Sequence, residues 1–501
     1  MSGASSENKE KPSRQVTSYR KPEGASREID LSLTGKNRKI SSEANWIILR
    51  KDEKPSAEMF FIRYSLHGEK AKKRPITFVF NGGPGASSAY LHMGALGPKM
   101  VKFNADGTPL PVPVRMSDNP ETWLEFTDLV FIDPIGTGFS RMIKDEEEKK
   151  DFGDKKKDKN EYYNLKKDLD SLGEFIRKFL SKYHRWESPV FIAGESYGGF
   201  RVGKLAKLLQ KEYGVGLAGS ILISPALEFT LLDSSDYDVL RWVDTFPTMA
   251  VSAYIHKKNR KKFSIKSPVE YMSKAEDFAL KELIPALASG DLYPSSKMKT
   301  VLNSAADFIG IPRNTLQLKN GRIQIEYFVK NLLRNEKKLL GLYDASLTEA
   351  DPFPDRDNHE GPDPTLHSIE RIFASGINTQ LRKNIGLDTE RDYNLLSMDV
   401  NENWKIEKQH ALQTQVGATD DLRFGMSLNP DMEVMITHGL YDLVTPYFST
   451  KRITALMKLT PKQKAKLTLK NYQGGHMYYT WEKSRKAFYS DIKSFYKKAL
   501  K

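Results

Sequence analysis

Cysteine is absent from the 501 residues of this chain. A protein without thiols forms no disulfide bond, binds no metal through a thiolate and has no cysteine nucleophile. The absence leaves the cellular compartment undecided, because such a chain is indifferent to oxidising and reducing surroundings. Disulfide scaffolds and cysteine-based metal or catalytic sites are therefore excluded.

The sequence also has no apolar run long enough to cross a bilayer. Its first apolar run, residues 45–49, is too short and too far from the start to be the core of a secretory signal. If Met1 is the native start we expect a cytoplasmic protein; if a leader has been removed, a periplasmic or secreted one. A hydrophobic fraction of 39% and an aromatic fraction of 11% indicate a globular protein with a sizeable core.

Charge is abundant and of one prevailing sign, since the formal net charge is +14. The richest charged run, residues 144–159, contains seven lysines, seven acidic residues and one aromatic residue. This composition is typical of a solvated loop and lacks the stacking aromatics of a nucleic-acid track. We therefore expect no nucleic-acid partner. No His-Glu-x-x-His pattern is present either, so we expect no metal and no other cofactor.

The strongest local signal is the pentapeptide Gly-Glu-Ser-Tyr-Gly at residues 194–198. A short apolar run, residues 190–193, precedes it, and apolar residues at helical spacing follow it. A serine between such a strand and helix, with glycines two residues to either side, is typical of a nucleophile elbow. Ser196 is therefore the predicted nucleophile.

A serine nucleophile needs a base and an orienting acid, here in the chain order serine, acid, histidine. Asp442 follows an apolar strand-like run, and we predict that it is the acid. His476 lies on a glycine-rich turn after one further strand-like run, and we predict that it is the base. His438 shares a strand end with the acid and is expected to be structural.

A second glycine-rich loop, Asn-Gly-Gly-Pro-Gly-Ala-Ser-Ser at residues 81–88, follows the buried strand predicted at 75–80. Alone, such a loop is more often a simple turn. Upstream of an elbow, its free N–H groups are suited to one half of an oxyanion hole. The N–H of Tyr197, directly after the nucleophile, would supply the other half.

The remaining patterns predict alternating strands and helices. We expect two antiparallel strands at residues 46–50 and 58–64, and further buried strands at residues 127–133 and 218–224. We expect a helix before the elbow at residues 162–183 and a final amphipathic helix at residues 481–500. This alternation predicts an α/β fold whose mostly parallel central sheet has helices on both faces.

Four segments follow from these patterns. Residues 1–40 are polar and without periodicity, and we expect a tail or loosely attached arm. Residues 41–225 and 431–501 form the two parts of the core. Residues 226–430 are interpreted as a mainly helical inserted lid over the rim where open α/β sheets bind ligands, with a separate domain as the alternative.

The motifs at residues 81–88, 133–140, 194–199, 439–446 and 474–477 together resemble those of the serine carboxypeptidase family, especially its cysteine-poor bacterial branch. The resemblance implies an α/β-hydrolase fold and removal of single residues from peptides with a free C-terminus. It implies the following site: Ser196, Asp442 and His476 as triad, Gly83 and Tyr197 as oxyanion hole, Asn81 and Glu195 as binders of the substrate carboxylate.

The sequence departs from the family pattern at two positions. Ala86 replaces a cysteine that is usual in the glycine loop. Ala95 replaces a further glutamate that helps to bind the terminal carboxylate in the family. Two alternatives to a carboxypeptidase stay open: an esterase or acyltransferase with the same triad, and a catalytically silent binding protein on a hydrolase fold.

Overall fold

The computed structural model describes residues 19–33, 36–66, 73–143, 160–232, 235–259, 263, 265, 267–406 and 416–501. Its strands are β1 (Ala25–Leu33), β2 (Lys36–Lys51), β3 (Lys54–Leu66), β4 (Ile76–Phe80), β5 (Lys99–Val101), β6 (Met116–Asp118), β7 (Asp128–Ile132), β8 (Arg141–Met142), β9 (Val190–Glu195), β10 (Leu217–Ile223), β11 (Lys338–Leu340), β12 (Thr348–Ala350), β13 (Glu433–Gly439) and β14 (Leu467–Tyr472).

Ten of these strands form one sheet, in the order β1, β2, β3, β7, β4, β9, β10, β13, β14, with β8 paired to β3. From β7 to β14 each neighbouring pair is parallel, whereas β1, β2, β3 and β7 pair antiparallel. The short pairs β5–β6 and β11–β12 stand apart. Every residue of β4, β7 and β9 is buried, as expected for central parallel strands that are covered on both faces.

The α-helices of the described residues are α1 (Ala89–Leu91), α2 (Leu165–Lys182), α3 (Tyr197–Glu212), α4 (Val239–Ile255), α5 (Pro268–Phe278), α6 (Ile284–Ser289), α7 (Ser295–Ile309), α8 (Arg313–Leu318), α9 (Ile325–Asn331), α10 (Leu366–Asn378), α11 (Met398–Glu402), α12 (Thr419–Leu428), α13 (Tyr447–Leu456), α14 (Pro461–Lys466) and α15 (Glu482–Ala499). Among the described residues, none of the helices combines the length and apolar character that crossing a membrane requires.

Side chains alternate between the two faces of the sheet. Along β9, Phe191 and Ala193 belong to one apolar cluster, whereas Val190 and Ile192 belong to another. Helices α10 and α15 cover the first face, and α2, α3 and α12 cover the second. The predicted α/β architecture, a mostly parallel sheet with helices on both faces, is confirmed.

For residues 25–33 and 36–40 the structure corrects the interpretation of the first 40 residues as a tail or loosely attached arm. Residues 25–33 form the edge strand β1, which pairs with β2 in register from Ala25 opposite Ala44. Leu31 and Ile40 are buried on the sheet, while charged residues on the other side of these strands hid the apolar pattern. Residues 1–18 and the charged run 144–159 lie outside the described residues.

The inserted segment divides into two parts that pack differently. Helices α4 to α9 surround an apolar cluster containing Trp242 and Tyr271, and this cluster continues into Tyr441 and Tyr447 of the C-terminal part. In contrast, α10 and α12 pack on the two faces of the sheet. The assignment of the whole segment to a lid stays a prediction, and its second half contributes to the core.

Candidate active site

The predicted site loops leave one edge of the sheet. Phe80 of β4 pairs with Gly194 of β9, and Ile223 of β10 pairs with Glu195 and with Thr437 of β13. Neighbouring parallel strands therefore end side by side. The loops that follow β4, β9, β13 and β14 start next to each other at this edge, where open α/β sheets bind ligands.

Ser196 lies on a sharp turn between β9 and α3. Its φ of 61° and ψ of −124° are dihedral angles that a non-glycine residue rarely adopts. The surrounding backbone fixes this conformation: the Ser196 N–H donates to the carbonyl of Ile223 (3.0 Å), and the Ser196 carbonyl accepts from the N–H of Ala226 (3.2 Å). The predicted elbow is thus present, and its serine is half-buried.

The elbow has no room for side chains at its flanking glycine. A Cβ atom at Gly194 would lie 2.2 Å from the carbonyl oxygen of Gly198. A contact this short cannot be relieved by a side-chain rotation, because the backbone fixes the positions of both the Cβ atom and the carbonyl oxygen. A Cβ atom at Gly198 would lie 2.6 Å from the carbonyl oxygen of Phe80, so that the pattern around Ser196 needs glycine at both positions.

His476 and Asp442 form a buried pair. The Nδ1 atom of His476 lies 2.7 Å from Oδ2 of Asp442, which also accepts from the Thr445 hydroxyl at 2.6 Å. The other oxygen of Asp442 accepts the N–H groups of Val444 and Thr445. A proton held on Nδ1 by Asp442 leaves Nε2 as the ring nitrogen available for base catalysis.

The electrostatic surroundings of His476 favour its charged form. Burial of the ring acts to lower the pKa of His476, but the carboxylate of Asp442, with a further contribution from Glu195, outweighs burial, so that the pKa is raised. His438 differs: it is buried, its Nε2 contacts the Thr450 hydroxyl at 2.9 Å, and burial lowers its pKa to about 4.

The glycine loop lies against the N-terminus of α3. A Cβ atom at Gly82 would be 2.5 Å from the backbone nitrogen of Tyr197, and Gly83 has a φ of 100°, which favours glycine. As the first residue of a helix, Tyr197 has no partner for its N–H within that helix. The structure therefore brings together the two segments whose N–H groups, those of Gly83 and Tyr197, were predicted to form an oxyanion hole.

Glu195 is a buried carboxyl with unequal oxygens. The Asn81 amide and the Tyr479 hydroxyl (3.0 Å) both donate to its Oε2. Its Oε1 is buried and has no hydrogen-bond partner among the described residues. Burial raises the pKa of Glu195 to about 7, opposed by His476 and by the hydrogen bonds from Tyr479 and Asn81.

Ala95 lies in a buried π-helical turn, His92–Leu96, where its methyl group offers no carboxyl. The position at which the family has a further glutamate is thus apolar in this chain. The predicted carboxylate-binding site therefore consists of one acid, Glu195, and the neutral amide of Asn81.

Three contributors to the site were missed in the sequence. Thr445 bonds to Asp442 and could have been suspected from its position three residues after the acid. Tyr479, the donor to Glu195, carries no comparable signal. Arg201 donates to the carbonyl of Asn81 at 2.6 Å and forms a two-point ion pair with buried Asp168, which anchors the glycine loop to the helix after the elbow.

Within the described part of the chain, no group of three or more histidine, aspartate or glutamate side chains is placed to hold a metal ion.

The family model described as serine carboxypeptidase matches residues 36–489. A pheromone-processing carboxypeptidase kex1 from Sclerotinia sclerotiorum is 29% identical over 153 residues, which cover 30% of this chain and 21% of that protein. Serine carboxypeptidase-like 33 from Arabidopsis thaliana is 28% identical over 221 residues, 40% of this chain and 38% of that protein. The chain thus matches well under half the length of these curated relatives.

Among solved structures, a proline iminopeptidase from Mycobacterium smegmatis aligns with 91% of this chain and 99% of its own, at 11% identity and a TM-score of 0.35. A similarity of this size carries no argument about the site. The sheet order and the elbow, together with the family match, identify the fold as that of an α/β-hydrolase.

Proposed function

Because the chain belongs to the serine carboxypeptidase family, we propose that it hydrolyses the last peptide bond of substrates that have a free C-terminal carboxylate. One observation carries the proposal: Glu195, which is buried and hydrogen-bonded to Asn81, directly precedes the elbow serine in the chain. A carboxylate bound there would place the adjoining peptide carbonyl close to Ser196.

In the proposed reaction the Ser196 hydroxyl attacks this carbonyl, and Nε2 of His476 takes the hydroxyl proton. Asp442 holds the imidazole through Nδ1 and stabilises the imidazolium that forms. The N–H groups of Gly83 and Tyr197 stabilise the oxyanion. His476 then gives its proton to the leaving amine, and water hydrolyses the remaining acyl-enzyme by the same route.

Recognition of the terminal carboxylate requires a proton on one of two carboxyl groups, because two adjacent anions repel each other. A pKa of about 7 keeps Glu195 protonated in mildly acidic solution. The proton can then be donated to the substrate, while the Asn81 amide donates at any pH. The Oε1 atom of Glu195 has no hydrogen-bond partner among the described residues, and it is the oxygen that can donate this proton.

An esterase or acyltransferase with the same residues is the second candidate, and Ala95 favours it. With an apolar residue at this position, the site has one carboxyl fewer for a free C-terminus. Hydrolysis of small esters without trimming of any peptide would support this alternative.

The experiment that tests the proposed nucleophile uses a fluorophosphonate, which labels activated serines, together with a peptide assay. Ser196→Ala should lose labelling and lower kcat by about 10⁴- to 10⁶-fold. Ser494→Ala, on the exposed side of α15, is the matched control and should equal the parent. Equal labelling of the Ser196 variant would refute the assignment. Both activities should survive EDTA, and zinc-dependent recovery would show that a metal takes part.

A further inference from the structure

Residues 342–345 of the inserted segment run between the two loops that carry Asp442 and His476. The Leu443 N–H donates to the carbonyl of Leu342 (3.2 Å), and the Ala345 N–H donates to the carbonyl of Tyr441 (2.9 Å). Tyr441 and Leu443 are the residues on either side of Asp442. The insert is therefore bonded to the acid loop on either side of the acid.

The same segment holds the histidine turn. The His476 N–H donates to the carbonyl of Tyr343 at 2.5 Å, and the rings of these two residues meet edge to face with centroids 5.4 Å apart. A Cβ atom at Gly475 would lie 2.0 Å from the Tyr343 carbonyl oxygen and 2.4 Å from Cα of Asp344. The two backbones are thus in direct contact at the residue before the base.

Asp344 completes this contact with its side chain. Its Oδ2 accepts the N–H of Gly475 at 2.8 Å and the indole N–H of Trp481 at 3.1 Å. Its Oδ1 accepts both the N–H and the hydroxyl of Ser346. The group is buried, so that the pKa of Asp344 is raised to about 6, against the effect of these four donors.

We infer that Asp344 is a positioning residue of the inserted segment, which fixes the His476 turn relative to Ser196 by holding the Gly475 N–H. The inference rests on the proposed function of His476 as base. Proton transfer requires the imidazole within hydrogen-bond reach of the serine hydroxyl, and a displacement of about 1 Å costs up to about 100-fold in rate. Asp344 contacts neither Asn81 nor Glu195 among the bonds described, so binding of the substrate carboxylate should not depend on it.

The test is Asp344→Asn, assayed with a small blocked ester. All four neighbours of the carboxylate are donors, so the asparagine NH₂ group faces a donor in either orientation. We expect kcat and the rate of fluorophosphonate labelling to fall about 10- to 100-fold with KM unchanged. A purely structural role would lower the melting temperature without this split between kcat and KM.

Asp351→Asn is the matched control. Asp351 belongs to the same insert, is buried and pairs with Lys330 at 2.7 Å, and none of its described hydrogen bonds reaches either triad loop. This variant should lose thermal stability and keep the parent's kcat at temperatures where it is folded. If Asp344→Asn behaves in the same way, the inference is wrong.

A second variant covers the case in which Asp344→Asn does not fold. Trp481→Phe keeps an aromatic ring and removes one of the two donors to Oδ2. We expect kcat to fall roughly two- to fivefold with KM unchanged, because Oδ2 of Asp344 then keeps one donor in place of two; an unchanged kcat would overturn the inference. Absence of labelling and hydrolysis in the parent would instead refute the proposed function itself.

Discussion

The surroundings of Asp442 and of Glu195 differ although both carboxyl groups are buried at the same edge of the sheet. Asp442 accepts four hydrogen bonds, shared between its two oxygens: from the N–H groups of Val444 and Thr445, the Thr445 hydroxyl and His476. Glu195 accepts two hydrogen bonds, both at Oε2, and its Oε1 has no partner in the described residues.

This difference separates two roles for the same functional group. The hydrogen bonds of Asp442 are completed within the protein, as an acid that orients a histidine requires. Those of Glu195 leave one oxygen unused, and burial raises its pKa to about 7, so that it can present a proton to a ligand. The difference in hydrogen bonding fits the two proposed roles, an orienting acid at Asp442 and a carboxylate binder at Glu195.

Of the substitutions that test this difference, Asp442→Asn should lower kcat the most. In this variant an NH₂ group replaces the oxygen that accepts the Nδ1 proton of His476. The imidazole then adopts the wrong tautomer or orientation, and kcat should fall by about 10⁴-fold. Because the acid acts on the base and not on the leaving group, peptides and small esters should lose the same factor. A loss confined to peptides would contradict the role of Asp442.

Glu195→Gln should have a smaller effect, confined to substrates with a free carboxylate. In the parent, a pKa raised to about 7 means that Glu195 is mostly protonated at pH 5 and mostly ionised at pH 8, so kcat/KM for peptides should fall about fivefold from pH 7 to 8. Glutamine donates at every pH, and the variant should therefore lose this fall. The measurement is the pH profile of kcat/KM for a peptide from pH 5 to 8.

Esters without a carboxylate are the control for that profile. His476 must be neutral to act as base, and its raised pKa lowers activity towards acid pH for every substrate. The ester profile should report this limb alone, and in the variant the limb should move to lower pH, because Glu195 contributes to the raised pKa of His476. An unchanged peptide profile in Glu195→Gln would remove the carboxylate-binding role.

Tyr479→Phe should have the smallest effect, a shift of the peptide limb to higher pH. The Tyr479 hydroxyl donates to Glu195 and so favours its charged form. Its removal should raise the pKa of Glu195 further, and the peptide limb should move to higher pH by roughly half a unit, while the ester profile stays in place. A shift to lower pH would show that another group controls this limb.

The positions of the elbow, of the proposed acid and of the proposed base could be predicted from the sequence because each follows a strand-like run. Ser196, Asp442 and His476 come after strands that local patterns reveal, and the chain order suggests their roles. The central strands and the helices on both faces could be predicted for the same reason. Local periodicity, however, carries no information about which distant polar groups meet.

The residues that sequence reasoning missed act across long separations. Asp344 meets Gly475 at a separation of 131 residues, and Arg201 meets Asn81 at 120. Strand β1 was missed because its charged, exposed side chains outnumber its buried ones, as is usual at a sheet edge. In each case the partner, and not the residue's own neighbours in sequence, determines the structure.

We propose that the site around Ser196 removes residues from free C-termini. The most direct measurement compares two peptides that are identical except that one ends in a carboxylate and the other in an amide, with products identified by mass at pH 6. We predict loss of single C-terminal residues from the free peptide and at least about tenfold slower reaction of the amide, since a neutral terminus cannot form charge-assisted hydrogen bonds with Glu195 and Asn81. Equal rates for the two peptides, or cleavage at internal bonds, would contradict it.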